Sequence, residues 1–162
     1  MPSPRVRIAV PPGVRACGDQ GAHPWVWARD VAGGAPFMQD LAFLHTRFPS
    51  AEAKATYLEM VRERMALAEA GRLPWDLVTQ MQIAPDVLEI RLPDWTFSGG
   101  MMHVRLYFSE PWDLPGNLVA LRLKTKRPGP LGLEDQDATA LQEQCLKPVD
   151  RHREGRTFPV IE

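Results

Sequence analysis

The amino-acid sequence predicts an α+β domain in which helices cover one face of an antiparallel sheet. Apolar residues recur with helical spacing from residue 36 to residue 70, and again from 135 to 147. Between these stretches, residues 87–126 alternate between apolar and polar side chains, as strands with one buried face do. Three consecutive strands with short connections predict an antiparallel meander, and its apolar face needs helices to cover it.

The first 24 residues are expected to be a poorly ordered, proline-rich lead-in. Their prolines interrupt regular hydrogen bonding, and the segment offers little apolar surface to bury. The aromatic and β-branched run from Trp25 to Val31 then predicts the first strand. We therefore expect a domain over residues 25–150 and a polar tail over residues 151–162.

Two consecutive helices are predicted to form a hairpin after this strand. Pro36 suits the first turn of the first helix, and Pro49 ends it. Ser50 is a suitable N-cap for a second helix over residues 51–70, and Gly71 suits the left-handed position that follows a helix. The apolar stripes of both helices are expected to pack in the core rather than to bind a cofactor.

Three strands are predicted over residues 87–92, 101–108 and 117–126. Their core-facing residues are expected to be Leu88, Ile90, Leu92, Met102, Val104, Leu106, Phe108, Val119, Leu121 and Leu123. The remaining positions share the opposite face of the sheet. These positions are Glu89, Arg91, His103, Arg105, Tyr107, Arg122, Lys124 and Lys126.

Charge is distributed unevenly along the chain. The 162 residues carry a net charge of −1, which argues against a strongly basic nucleic-acid binder. Residues 87–127 nevertheless hold six Lys or Arg against four Asp or Glu, whereas residues 37–86 and 128–162 are acidic. The sheet is therefore predicted to present a locally cationic face, although an ordinary solvated face would show the same alternation.

Several classes of function are disfavoured by the composition. Two cysteines cannot form a disulfide framework, and the four histidines are isolated, so we expect neither a structural zinc site nor another metal or cofactor. No apolar run reaches the roughly 18–20 residues that span a bilayer, and the N-terminus lacks the apolar core of a signal peptide. We therefore expect a cytoplasmic protein without a membrane partner.

The residue types on the second face are those that RNA cleavage needs. Cleavage requires deprotonation of the 2′-hydroxyl, stabilisation of the charged phosphate and protonation of the leaving oxygen. The candidate catalytic residues are Arg91, His103, Arg105, Lys124 and Lys126. The candidate RNA-binding residues are Arg122, Tyr107 and Arg127, with the tyrosine expected to stack on a base.

The order of these segments resembles the RelE/ParE superfamily of toxins from type II toxin–antitoxin systems, in particular its HigB-like, phage-derived branch. The resembling segments are a leucine-rich stretch ending in Gly-Arg-Leu-Pro at residues 71–74, the strands over 87–92 and 103–108, the Lys-Thr-Lys-Arg run at 124–127 and the last predicted helix, residues 135–147. No single motif is specific, and their order and spacing carry the resemblance.

The resemblance implies a RelE-like fold and an endoribonuclease that cleaves mRNA, commonly on the ribosome. It also implies a cognate antitoxin protein as partner. A non-enzymatic protein on the same scaffold remains the alternative, either a ParE-like gyrase-binding toxin or a degenerate toxin-like binding protein, and the near-neutral net charge favours it.

Overall fold

The protein has an α+β fold, as the sequence predicts, with helices packed on a five-stranded mixed sheet. The computed structural model describes residues 14–18, 21–28, 34–80, 87–97, 100–110 and 116–126. Its helices are α1 (Arg15–Gly18), α2 (Pro36–His45) and α3 (Ala51–Glu69), and a 3-10 turn covers Trp75–Leu77. Its strands are β1 (Trp25–Trp27), β2 (Val78–Gln80), β3 (Val87–Phe97), β4 (Gly100–Ser109) and β5 (Leu118–Lys126).

The sheet has the strand order β1-β5-β4-β3-β2. The three predicted meander strands are β3, β4 and β5, and they pair antiparallel in sequence order. Two further pairings extend the predicted meander: β2 joins β3 antiparallel, and β1 joins β5 in parallel. The chain returns beside β1 by a long connection that includes α2, α3 and the other strands, as a parallel pair requires.

The two predicted helices begin where the sequence places their start signals. The Ser50 hydroxyl accepts a hydrogen bond from the backbone N–H of Ala53 at 3.1 Å, and so caps α3. Gly71 follows α3 with a φ of 71°, a left-handed conformation that favours glycine. Contacts of α2 with β5 and of α3 with β3 show that both helices pack against the sheet.

An aromatic cluster joins α3 to the far end of β3. The ring of Tyr57 is fully buried and lies 5.3 Å from the ring of Trp95 and 5.9 Å from that of Phe97. Phe48 contacts both Tyr57 and Phe97. The Tyr57 hydroxyl donates a 2.7 Å hydrogen bond to the carbonyl of Pro93, so this buried polar group is satisfied. The cluster therefore fixes α3 to one specific stretch of β3.

The structure corrects the expected lead-in over its described part. Ala16 and Cys17 of α1 are buried in the main core together with Val14. The Glu110 carboxylate accepts the backbone N–H groups of Arg15 and Ala16 at 2.7 and 2.9 Å. Residues 14–18 thus belong to the domain, since apolar burial and two charge-assisted hydrogen bonds compensate for the local proline content.

A β-bulge in β5 corrects the predicted facing of two residues. Tyr107 pairs with Arg122, whereas the next residue of β4, Phe108, pairs with Ala120, so Leu121 is an extra residue in β5. Because of this extra residue, the side chains of β5 that precede Leu121 face the opposite side of the sheet from the one predicted. Ala120 and Leu118 therefore join the main core, while Val119 and Leu121 are buried outside that cluster.

Other predicted segments lie outside the described residues. These are residues 1–13, the helix predicted over 135–147 and the tail over 151–162. Within the described ranges, no helix combines the length and the apolar character that crossing a membrane requires.

Candidate functional site

The predicted site residues share one face of the meander, which we call the second face. Arg91 of β3, Arg105 of β4 and Lys124 of β5 are direct cross-strand partners. One row along the sheet, Glu89, Tyr107 and Arg122 pair in the same way. Cross-strand partners point to the same side of a sheet, so the period-two alternation brings these residues together as expected.

Arg105 forms a buried ion pair on this face. Its Nε atom lies 3.2 Å from the Oε1 atom of Glu89, and each side chain is only 10% exposed. The Arg105 guanidinium also donates to the carbonyl of Val104 at 3.0 Å. The pairing lowers the free-energy cost of burying both charges, because each would be costly to bury without a partner. Arg105 therefore has a fixed orientation and a largely compensated charge.

Asp40 binds two more of the predicted cations at the outer edge of β5. Its carboxylate accepts two hydrogen bonds from the Arg122 guanidinium, at 2.8 and 3.0 Å, and lies 3.1 Å from Nζ of Lys124. It also accepts the backbone N–H of Leu123 at 3.0 Å. Among the described residues, β1 pairs with residues 118–120 of β5, and the Leu123 N–H beyond that pairing faces α2.

Asp40 is not among the site residues predicted from the sequence, although a signal for it is present there. Phe37, Asp40 and Leu44 are spaced so that they share one side of α2, and all three are buried. An acid within an apolar stripe requires a buried partner, because an isolated buried carboxylate is costly. That requirement points to a basic residue facing the helix, and Arg122 and Lys124 fulfil it.

The second face is therefore less cationic than predicted. Glu89 and Asp40 compensate much of the charge of Arg105, Arg122 and Lys124. Arg91, in contrast, has an exposed side chain that forms no ion pair with the described residues, and its carbonyl accepts a hydrogen bond from the Arg64 guanidinium. The locally positive charge open to a ligand is thus centred on Arg91.

His103 forms a pair with Asp94, which lies just beyond the strand predicted over residues 87–92. The Nδ1 atom of His103 lies 2.8 Å from Oδ1 of Asp94. Asp94 instead belongs to β3, at an irregularity where Leu92 pairs with Val104 and Trp95 pairs with Met102. A bulge cannot be recognised from simple alternation, which explains why this partner was missed.

The remaining predicted residues differ in their accessibility. Tyr107 is fully buried, so its ring has no exposed face on which a base could stack, which argues against the predicted RNA-binding role. The backbone of Lys126 lies opposite His103 in the β4–β5 register. Arg127 lies outside the described residues.

Neither known proteins nor the grouping of potential metal ligands assigns a further role to these residues. The chain matches no protein-family model, and no curated protein matches it. In the described part of the chain, no three His, Cys, Asp or Glu side chains are grouped so that they could hold a metal ion.

Proposed function

We propose that this protein is the toxin of a type II toxin–antitoxin pair and cleaves mRNA by acid–base chemistry on the second face of its sheet. The observation that carries the proposal is the position of His103 beside a row of cations. His103 and Arg105 are alternate residues of β4, and Arg91 and Lys124 flank Arg105 on the neighbouring strands. A proton-exchanging group therefore lies next to guanidinium and ammonium groups on a rigid sheet.

Each group has a role in the proposed reaction. The imidazole of His103 exchanges a proton with a ribose or leaving oxygen, the general acid–base role that histidines commonly take. Arg91, with its exposed guanidinium, contacts the phosphate and stabilises the negative charge that develops there, and Arg105 on the next strand adds the part of its charge that Glu89 does not compensate. Lys124, on the third strand of the meander, adds positive charge, part of which its ion pair with Asp40 compensates.

The resemblance described above supplies the wider setting of the proposal. A RelE-like toxin acts in the cytoplasm, meets its mRNA on the ribosome and is neutralised by an antitoxin protein. Partial charge compensation on the second face fits such a setting, because a ribosome that presents the mRNA reduces the need for strong non-specific attraction.

The proposal is tested by expressing the full chain in a bacterium and by incubating the purified protein with single-stranded RNA and with translating ribosomes. We expect growth arrest and new mRNA 5′ ends. His103→Gln should lower the cleavage rate by about 100-fold or more, and Arg91→Ala should also lower it. Arg72→Ala is the matched control, because Arg72 is an exposed arginine outside the sheet.

Normal growth at confirmed expression, together with intact RNA in both assays, would refute the nuclease proposal. The buried Glu89–Arg105 pair favours one second candidate, a non-enzymatic toxin-like protein, because a compensated arginine contributes less to phosphate binding. Inhibition of gyrase supercoiling without RNA cleavage would support the gyrase-binding form of that candidate.

A further inference from the structure

The β3 strand contains a bulge directly opposite His103. Leu92 pairs with Val104 and Trp95 pairs with Met102, so two residues of β3, Pro93 and Asp94, face the single residue His103. Bulges are enriched next to active sites, where the extra residue changes the direction of a side chain. Here the extra residue places the Asp94 carboxylate beside the imidazole of His103, a position that a regular strand pairing would not give it.

The contact between the two side chains has a defined chemical direction. A carboxylate can only accept hydrogen bonds, so the Nδ1 atom of His103 must carry the proton that is shared with Oδ1 of Asp94 at 2.8 Å. In the neutral ring this leaves the lone pair on Nε2. The partner of one ring nitrogen thus determines which nitrogen takes up and releases a proton.

The bulge is itself held in place from α3. Pro93 has no N–H to lose in an irregular ladder, and its carbonyl accepts the 2.7 Å hydrogen bond from the buried Tyr57 hydroxyl. Two residues earlier, the Arg91 carbonyl accepts a hydrogen bond from Arg64, also on α3. Because α3 fixes the carbonyls on one side of Asp94, the orientation of this carboxylate is determined by the core as well as by its own strand.

We propose that Asp94 is a positioning residue that holds His103 as the Nδ1–H tautomer, so that Nε2 is the atom that exchanges the proton with RNA, and that Tyr57 supports it by fixing the bulge. The assignment of Nε2 to the RNA rests on the proposed function, whereas the tautomer is a property of the protein alone. Asp94 stands to His103 as the buried aspartate of a serine protease stands to its histidine: it touches no substrate and acts through the ring.

The tautomer can be measured without any substrate. In the 15N-labelled full chain at pH 8.5, long-range correlations between ring protons and ring nitrogens distinguish the two tautomers, and His103→Gln assigns the signals by their loss. We expect the wild-type ring to be protonated at Nδ1. Asp94→Asn has the same shape and removes the obligate acceptor, so it should move the ring toward Nε2–H. Tyr57→Phe should produce a partial shift in the same direction.

Activity forms the second arm of the test. Asp94→Asn should lower the RNA cleavage rate by about 10- to 100-fold, the usual effect of losing an orienting partner, and Asp94→Glu should recover part of that loss. Glu63→Gln is the matched control, because it removes an exposed carboxylate from α3 without changing His103. Circular dichroism confirms that each variant is folded.

The two arms separate the possible failures. A wild-type ring protonated at Nε2, or an Asp94→Asn variant with unchanged tautomer, overturns the proposal whatever the protein does to RNA. An unchanged cleavage rate in a folded Asp94→Asn variant also overturns it. A wild-type protein that has the Nδ1–H tautomer but cleaves no RNA supports the positioning by Asp94 and refutes only the proposed function.

Discussion

Replacing Asp40 by alanine should be one of the most destabilising single changes to the described part of the protein. The carboxylate is 9% exposed and accepts hydrogen bonds from Arg122 at 2.8 and 3.0 Å and from the Leu123 N–H at 3.0 Å, with Lys124 at 3.1 Å. Removing one partner of a buried pair costs about 3–5 kcal/mol. The Arg122 and Lys124 side chains are 17% and 28% exposed, so water can solvate part of their charge. We therefore expect a loss at the lower end, about 3 kcal/mol.

Urea unfolding followed by circular dichroism measures this loss. With a slope of about 2 kcal/mol per molar urea, the midpoint should fall by about 1.5 M. Lys124→Met should cost below about 1 kcal/mol, because Arg122 and the Leu123 N–H keep their acceptor. Gln39→Ala, at the exposed neighbouring position of α2, is the control. If the Asp40→Ala midpoint stays within about 0.3 M of the wild type, the carboxylate does not hold β5 against α2 and the reasoning fails.

Three further predictions concern single residues. Burial, followed by the negative charge of Glu110, raises the pKa of Cys17 to about 12. In a Cys145→Ser background, iodoacetamide should therefore label the Cys17 thiol of the native protein far more slowly at pH 8 than that of the urea-unfolded protein. Equal labelling rates would contradict this prediction. Burial, followed by the positive charge of Lys54, lowers the pKa of His45 from its ordinary 6.5. The unfolded chain then binds the proton more readily than the folded one, so the contribution of His45 to stability should be complete above pH 6.5 and fall below it. In urea titrations at pH 7.5 and 5.5, His45→Gln should make this loss of stability smaller. Gly71 has a φ of 71°, so Gly71→Ala should lower the free energy of unfolding by about 1 kcal/mol in the same urea assay. Ala70→Gly, one residue earlier, is the control, because it shows whether a substitution at this helix end lowers stability without involving the left-handed position.

Those parts of the fold that depend on local patterns could be predicted from the sequence. Alternation identified β4 and β5 almost to their ends, and the capping serine at position 50 located the start of α3. These signals are local, because side-chain period and capping chemistry involve residues only a few positions apart. The shared face of Arg91, Arg105 and Lys124 followed from the same periodicity.

What could not be predicted depends on contacts between distant segments or on a changed register. The bulge at Leu121 reverses the facing of Val119, and the bulge at Pro93 and Asp94 creates the pair with His103. An inserted residue leaves no mark in composition, and its position is set by the partner strand. The ion pairs of Asp40 likewise depend on where α2 meets β5, which no short-range pattern specifies.

The parallel pairing of β1 with β5 has a consequence for the order in which the protein folds during its synthesis. Trp25 and Trp27 pair with Leu118 and Ala120, near the end of the described chain. At about 5–20 residues per second, a ribosome needs roughly 5–20 s to make the intervening segment. Throughout that interval β1 has no strand to join, and α1 lacks Glu110. The first strand of the sheet to be synthesised can therefore join it only when β5, the last described strand, has been made.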